Sequence, residues 1–467
     1  MLRDPCKAEA LRWCCIAALV TLFFPIVSFC EQPKQFTCIP ESQQKTPPAS
    51  QDAGNVQVHG PAVPSPRVAG HGRFEPPPGQ VLFIAGQTKQ GLESFAKNFP
   101  APGGVSFYTS VQNLWGTGLS DKTSPETRDR LVRLVGEQDL DYLVRKFPNS
   151  ALHVGLSLEG GVLANLASGG RVKVDGVEVD PRANVRELID LLERLGRPIF
   201  LRIGYEADGQ WNAYDPQSYR LAFKYITNYI QQTYREKGAD HIAVVWHIAG
   251  YIEPGKPTNH EGFVTYQDRS FDDWYPVGGE GVDWVAFSFF TQPYDEVGMG
   301  RNPGSTMRSL LTYLRSKNKP ILIAESAPRT YDFNSQSRPK ENQPGHGYFK
   351  KSFLTAVPDF VDNLTVKQMW NGFSDGGTSY PGWFAVYFKM IEENRDAIRA
   401  VHYISDEWQR YTLWQCRSGK DACRSGYWGD TRLEVIPQLQ WMWLEHAGAD
   451  RFLEGSPTLF GQLNGWK

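Results

Sequence analysis

Two stretches, Arg197-Pro198-Ile199-Phe200-Leu201-Arg202-Ile203-Gly204-Tyr205-Glu206 and Lys319-Pro320-Ile321-Leu322-Ile323-Ala324-Glu325, carry most of the architectural information in this chain. Each starts with a basic residue and a proline, continues as an unbroken apolar strand and closes on a glutamate. Each follows a helical stretch that stops at Gly196 or Asn318. Strands that are apolar throughout and alternate with helices belong to parallel sheets covered on both faces. Comparable runs occur at 81–85, 105–108, 152–158, 242–248, 284–290 and 400–404, which with 199–205 and 321–324 makes eight strands. Helical stripes separate them: Val185, Leu188, Leu192 and Leu195 share one face, and so do Ala222, Tyr225, Ile226, Tyr229 and Ile230, with Gly238 as the stop. A third follows Ser305 with Leu310, Leu311 and Leu314. Eight strand–helix units predict an α/β fold of the (β/α)8 TIM-barrel type; a doubly wound open sheet is the alternative and would ordinarily use fewer strands.

The barrel is expected to span 80–467, preceded by two segments of different character. Arg3, Lys7 and Arg12 lead into an apolar run from Trp13 to Phe29, the pattern of a secretory signal peptide, with an uncleaved membrane anchor as the alternative for 1–30. Residues 31–79 are rich in Pro, Gln and Ser, with Pro76-Pro77-Pro78 at the end, and are expected to be a disordered linker that buries no core. These features predict a secreted, periplasmic or cell-surface protein, a monomer whose catalytic domain is not stably inserted in a membrane. Four of the seven cysteines fall in the first thirty positions; Cys416 and Cys423 flank a polar loop and could pair in an oxidising compartment.

Composition narrows the function. The chain has 467 residues with 49 basic and 51 acidic side chains, a net charge of −2 that argues against a nucleic-acid partner. The 14 Trp and 20 Tyr supply flat surfaces on which a ring-shaped ligand could stack. Motifs for other chemistries fail on context. Gly372-Phe373-Ser374-Asp375-Gly376 lacks the helix that a nucleophile elbow requires, and Gly298-Met299-Gly300 lacks the third glycine of a dinucleotide fingerprint. No phosphate loop and no His-Glu-x-x-His helix occurs, so neither metal nor cofactor is expected.

The two strand-closing glutamates are the chemical signal. By the strand count, Glu206 ends strand four and Glu325 ends strand seven, and in a barrel the carboxyl ends of the strands share one mouth. Two carboxyl groups about 5–5.5 Å apart are what a retaining glycosidase uses. Strand alternation places Arg202 on the same face as Glu206, where its guanidinium would hold Glu325 ionised while a less polar pocket leaves Glu206 its proton.

Tyr205-Glu206-Ala207-Asp208-Gly209-Gln210-Trp211 resembles the acid/base segment of glycoside hydrolase family 26, in which a glutamate is followed by Gly-x-Trp. Val244-Val245-Trp246, Asp283-Trp284-Val285-Ala286-Phe287 and Lys319-Pro320 through Glu325 recur in the same order. The resemblance covers about 199–328 and implies a retaining barrel glycosidase of the β-mannanase type, with Glu206 as acid/base and Glu325 as nucleophile. The chain departs from the family at Tyr205, which replaces a histidine, and at Phe290, which stands where an aromatic hydroxyl would meet the nucleophile; Tyr294 is the substitute candidate. Sugar faces pack on aromatic rings, which makes Trp211, Trp246 and Trp408 candidate platforms. Arg202 and His247 complete the expected substrate-binding set, with Glu159, Asp208, His402 and Asp406 as further strand-end groups that could instead cap loops. The expected partner is a β-linked polysaccharide or oligosaccharide, cleaved by double displacement. A non-catalytic glycan-binding barrel is the alternative, and a structural surface protein a remoter one.

Overall fold

Eight parallel strands pair in chain order: β1 (Val81–Ala85), β2 (Gly104–Ser110), β3 (Ala151–Ser157), β4 (Ile199–Ile203), β5 (Ile242–Ile248), β6 (Trp284–Phe289), β7 (Ile321–Ser326) and β8 (Ile398–Tyr403). The last closes on the first, with Leu82 opposite Ala400 and Ala85 opposite Tyr403. That closure makes the sheet a TIM barrel and excludes the open doubly wound alternative. The computed structural model describes residues 72–119, 123–159, 161–174, 176–209, 211–250, 259–260, 263–264, 270–290, 307–328, 380–415, 429–435, 440, 443–444, 446 and 451–466. The predicted signal segment, the linker up to position 71, the two rejected glycine motifs, Tyr294, Cys416 and Cys423 lie outside the described residues.

Strand alternation builds two cores. On β4, Ile199, Leu201 and Ile203 pack outward among helix residues such as Leu188, Leu192, Phe223 and Ile226. Phe200 points inward, where it meets Leu82, Val245, Trp284 and Leu322 from other strands. Above this apolar layer the interior turns polar: Ser106, His153, Arg202, His247, Ser288 and His402 are all buried. Each helix has a local reason to begin where it does. Asp180 and Asp215 cap Pro181–Arg194 and Pro216–Thr233 by accepting backbone N–H groups, each with proline in the first turn. The second ends before the predicted stop, and a 3-10 turn, Arg235–Lys237, carries the chain to Gly238 at φ 81°.

The floor of the barrel corrects the expected linker boundary. The described residues include 72–79, which fall within the expected linker, and this strap plugs the bottom. Phe74 is fully buried against Phe200 and Trp466, and the Trp284 indole donates to the Arg73 carbonyl at 2.6 Å. Glu75 is buried beside Arg399, with Nε 3.1 Å from its carboxyl oxygen, and Arg399 also donates to the carbonyls of Pro76 and Pro77. A register shift produces that arginine: Ile321 pairs with Ile398 but Leu322 with Ala400, so Arg399 is an extra residue free to turn towards the strap. A proline-rich composition concealed one aromatic anchor and one ion pair. Among the described residues no helix is long and apolar enough to cross a membrane.

Candidate active site

Strict alternation along β7 would send Glu325 out of the barrel, because Leu322 and Ala324 face inward while Ile321 and Ile323 face the helices. A bulge reverses it. Phe287 on β6 pairs with Ile323, but Ser288 pairs with Glu325, which leaves Ala324 as the extra residue and turns Glu325 into the mouth. There Arg202 Nη1 lies 2.6 Å from Glu325 Oε1, and the Tyr108 hydroxyl donates to the same oxygen at 2.9 Å. The guanidinium carbon sits 4.7 Å from the Tyr108 ring centre and 5.4 Å from that of Tyr205, within cation–π range of two rings set perpendicular to each other. Burial raises the Tyr108 hydroxyl well above its usual range, so it remains a donor. Gly155 on β3 makes room for this group: a β-carbon there would stand 2.7 Å from Tyr108 Cδ1 and 2.8 Å from Arg202 Nη2.

Glu206 reaches the mouth by a turn and not by alternation. The strand stops at Ile203; Gly204 then takes φ 57° and Glu206 itself φ 50°, a left-handed conformation costly for a residue with a side chain. Gly204 is obligatory here, since a β-carbon would lie 2.7 Å from Tyr219 Cε2. The strained turn is pinned by Asn212, whose side chain donates to the carbonyls of Tyr205 and Glu206, and by the Ala207 N–H bonded to the His247 carbonyl. The carboxyl group accepts two hydrogen bonds, from Ser288 Oγ to Oε1 at 2.6 Å and from Trp211 Nε1 to Oε2 at 2.9 Å. Gly209 lets the indole lie this close, because a β-carbon would meet the Trp211 ring at 2.5 Å. Burial, then the negative charge of Glu325, push the Glu206 carboxyl up to about 8, against the pull of the two donors. One mouth therefore holds a carboxylate bound to a cation and a second carboxyl that keeps its proton at neutral pH.

No family model matches the chain. Over 385 residues it is 28% identical to a β-1,3-xylanase from Alcaligenes sp, covering 82% of this chain and 66% of that protein. Over 394 residues it is 28% identical to a β-1,3-xylanase from Vibrio sp, covering 84% of this chain and 70% of that one. The chain is a distant relative of glycoside hydrolases. Solved structures of family 26 overlap it with low scores: an endo-β-1,4-mannanase from Cellulomonas fimi at TM-score 0.43 and 14% identity, covering 81% of this chain and 73% of that one. A β-mannanase from Bacteroides ovatus overlaps at TM-score 0.39 and 12% identity, covering 80% and 90%.

Several residues expected to bind substrate in this glycosidase-like barrel lie elsewhere. Trp246 is fully buried on the helix side of β5, with its indole donating to the Trp274 carbonyl, so it is core and not a platform. Trp408 is buried against Phe290, Ala327 and Ile404 and donates to Thr431. His247 and Arg202 have no exposure and stand beneath the two glutamates, supporting them without facing solvent. Trp211 is the exception at 41% exposure, hydrogen-bonded to Glu206 through its indole nitrogen. Asp208 caps the loop after β5 by accepting from the Ala249 and Gly250 N–H groups. Asp406 accepts from Thr88 and Tyr411, and His402 lies between the carbonyls of Ala324 and Gly86. Phe290 has no hydroxyl to offer Glu325, and Tyr108 on β2 supplies one. Tyr108 and Ser288 were absent from the expected set, although each is a polar group inside an apolar strand run.

Proposed function

We propose that the chain is a secreted retaining glycoside hydrolase that cuts β-glycosidic bonds in a polysaccharide. The reading is carried by the unequal environments of its two mouth carboxyls, Glu325 on the Arg202 cation and Glu206 buried with its pKa raised to about 8. Glu325 attacks the anomeric carbon while Glu206 gives its proton to the departing oxygen, so the glycosidic bond breaks as a glycosyl ester forms. Glu206, now ionised, takes a proton from water; the water oxygen bonds to the anomeric carbon and Glu325 leaves as carboxylate. Two inversions return the starting configuration. Trp211, partly exposed and hydrogen-bonded to the acid, supplies an aromatic surface for a sugar ring. Secretion rests on the basic and apolar pattern of the first thirty residues.

Both curated relatives are named β-1,3-xylanases, which makes β-1,3-linked xylan the first substrate to test. The experiment incubates the protein with β-1,3-xylan, β-1,3-glucan, β-1,4-xylan and β-mannan and follows new reducing ends by proton NMR. Initial products of β configuration on one of these polymers are expected. Initial α products would mean an inverting route, and retention of polymer without new ends would mean a glycan-binding barrel.

A further inference from the structure

We propose that His247 and Ser288 form a hydrogen-bond relay of fixed direction that positions Glu206 and holds a donor on its Oε1 through the reaction cycle. This rests on Glu206 being the acid/base, and it assigns positioning roles to two residues that do not touch substrate. The direction follows from what surrounds the imidazole. His247 Nδ1 faces the Glu206 backbone N–H at 3.4 Å and Arg202 Nη1 at 3.5 Å, and neither group can accept. Nδ1 must therefore present its lone pair, which puts the ring hydrogen on Nε2, 3.1 Å from Ser288 Oγ. Ser288 Oγ receives that bond and donates its own hydrogen to Glu206 Oε1 at 2.6 Å. Each link has one possible polarity, set by an arginine and a backbone amide that can only give.

The relay does not reverse with pH. Burial, then the charges of Arg202 and His402, keep His247 well below its usual range and so neutral. Other groups act on Glu206 as well. Glu325 and Asp208 raise its pKa by charge, Trp211 lowers it as a donor on Oε2, and Tyr214 lies close enough to interact. Against burial and two carboxylates, the Ser288 donor, with Trp211, favours the ionised form of Glu206 that the second step needs.

The test compares Ser288→Ala and His247→Gln with the unaltered protein. In Ser288→Ala the protonated carbonyl band of Glu206, assigned by its loss in Glu206→Gln, should persist in infrared spectra to a pH about one to two units higher. The basic limb of kcat/KM should move up by the same amount. In His247→Gln the amide N–H takes the place of Nε2–H, so the limb should stay near its original position. Nitrogen-15 shifts of the unaltered protein should show His247 protonated at Nε2. An unmoved Glu206 titration in Ser288→Ala, or a His247 protonated at Nδ1, would overturn the relay. The two readings fail separately. Turnover abolished by Glu206→Gln with no shift in Ser288→Ala leaves the hydrolase and removes the relay. A shifted titration in a protein that cuts no glycan confirms the relay and removes the hydrolase.

Discussion

Arg202 Nη1 stands 2.6 Å from Glu325 Oε1, and the guanidinium that makes this contact has no solvent exposure while the carboxylate keeps 12%. The cation is thus built into the barrel interior, and only the anion reaches the mouth. Among the described residues no cation pairs with Glu206, whose carboxyl accepts from a serine hydroxyl and an indole N–H. Burial, then the Glu325 charge, raise the Glu206 carboxyl to about 8, so the two side chains sit in unlike environments.

Tyr108→Phe removes one donor from Glu325 while keeping the ring that covers Arg202. A hydrogen bond to a charged group contributes ~1.5–3 kcal/mol, so kcat/KM on the cleaved polymer should fall roughly ten- to hundred-fold. Thermal unfolding should be nearly unchanged. Undiminished kinetics would show that the hydroxyl does not serve the nucleophile.

Gly155→Ala tests the same pair from below. The added carbon falls within 2.8 Å of Tyr108 and Arg202, so both must shift away from Glu325. Activity should drop by about 10²-fold, the cost expected of a misplacement near 1 Å. A crystal structure of the variant with Arg202 and Tyr108 unmoved would contradict this.

Glu206 carries a cost in stability. Its pKa is raised from 4.5 to about 8 on folding, so its contribution is fully present below pH 4.5 and is lost as pH rises towards 8. Glu206→Gln cannot ionise and should therefore be more stable than the unaltered protein at pH 8, by about 1–3 kcal/mol in chemical denaturation. The gain should vanish near pH 4. A constant difference across that range would mean the carboxyl is not held protonated.

Phe74→Ala empties the floor of the barrel. The ring lies 6.1 Å from Phe200 and 6.0 Å from Trp466, inside a fully buried layer. Truncation should cost about 3–5 kcal/mol of stability. A loss below about 1 kcal/mol would mean that the strap is dispensable after all.

The strands and the two glutamates were legible because continuous apolar runs, with helices between and Pro before each quoted strand, admit few other folds. The route by which the glutamates reach the mouth was not. Glu206 arrives through a turn with left-handed residues at Gly204 and at Glu206 itself, and Glu325 through a bulge at Ala324. Both depend on what neighbouring strands place opposite them, which a single strand's pattern does not record. Trp246 and Trp408 read as platforms because a tryptophan near a strand end looks alike whether its ring turns to the mouth or to the helices. Arg399 gave no signal at all, since its partner Glu75 lies more than three hundred positions away in a proline-rich stretch.

The account stands most directly on the division of labour between Glu206 and Glu325. The decisive measurement is the rate and product anomer of Glu206→Ala acting, with and without azide, on an activated aryl β-glycoside of the sugar the protein cleaves. Without its acid/base the variant should form the glycosyl–Glu325 ester and stall, because nothing activates water. Azide needs no base and should restore turnover, giving a β-glycosyl azide of retained configuration. Rescue that instead gives the inverted α-azide would exchange the two roles, and full activity without azide would mean that the chemistry of this barrel lies elsewhere.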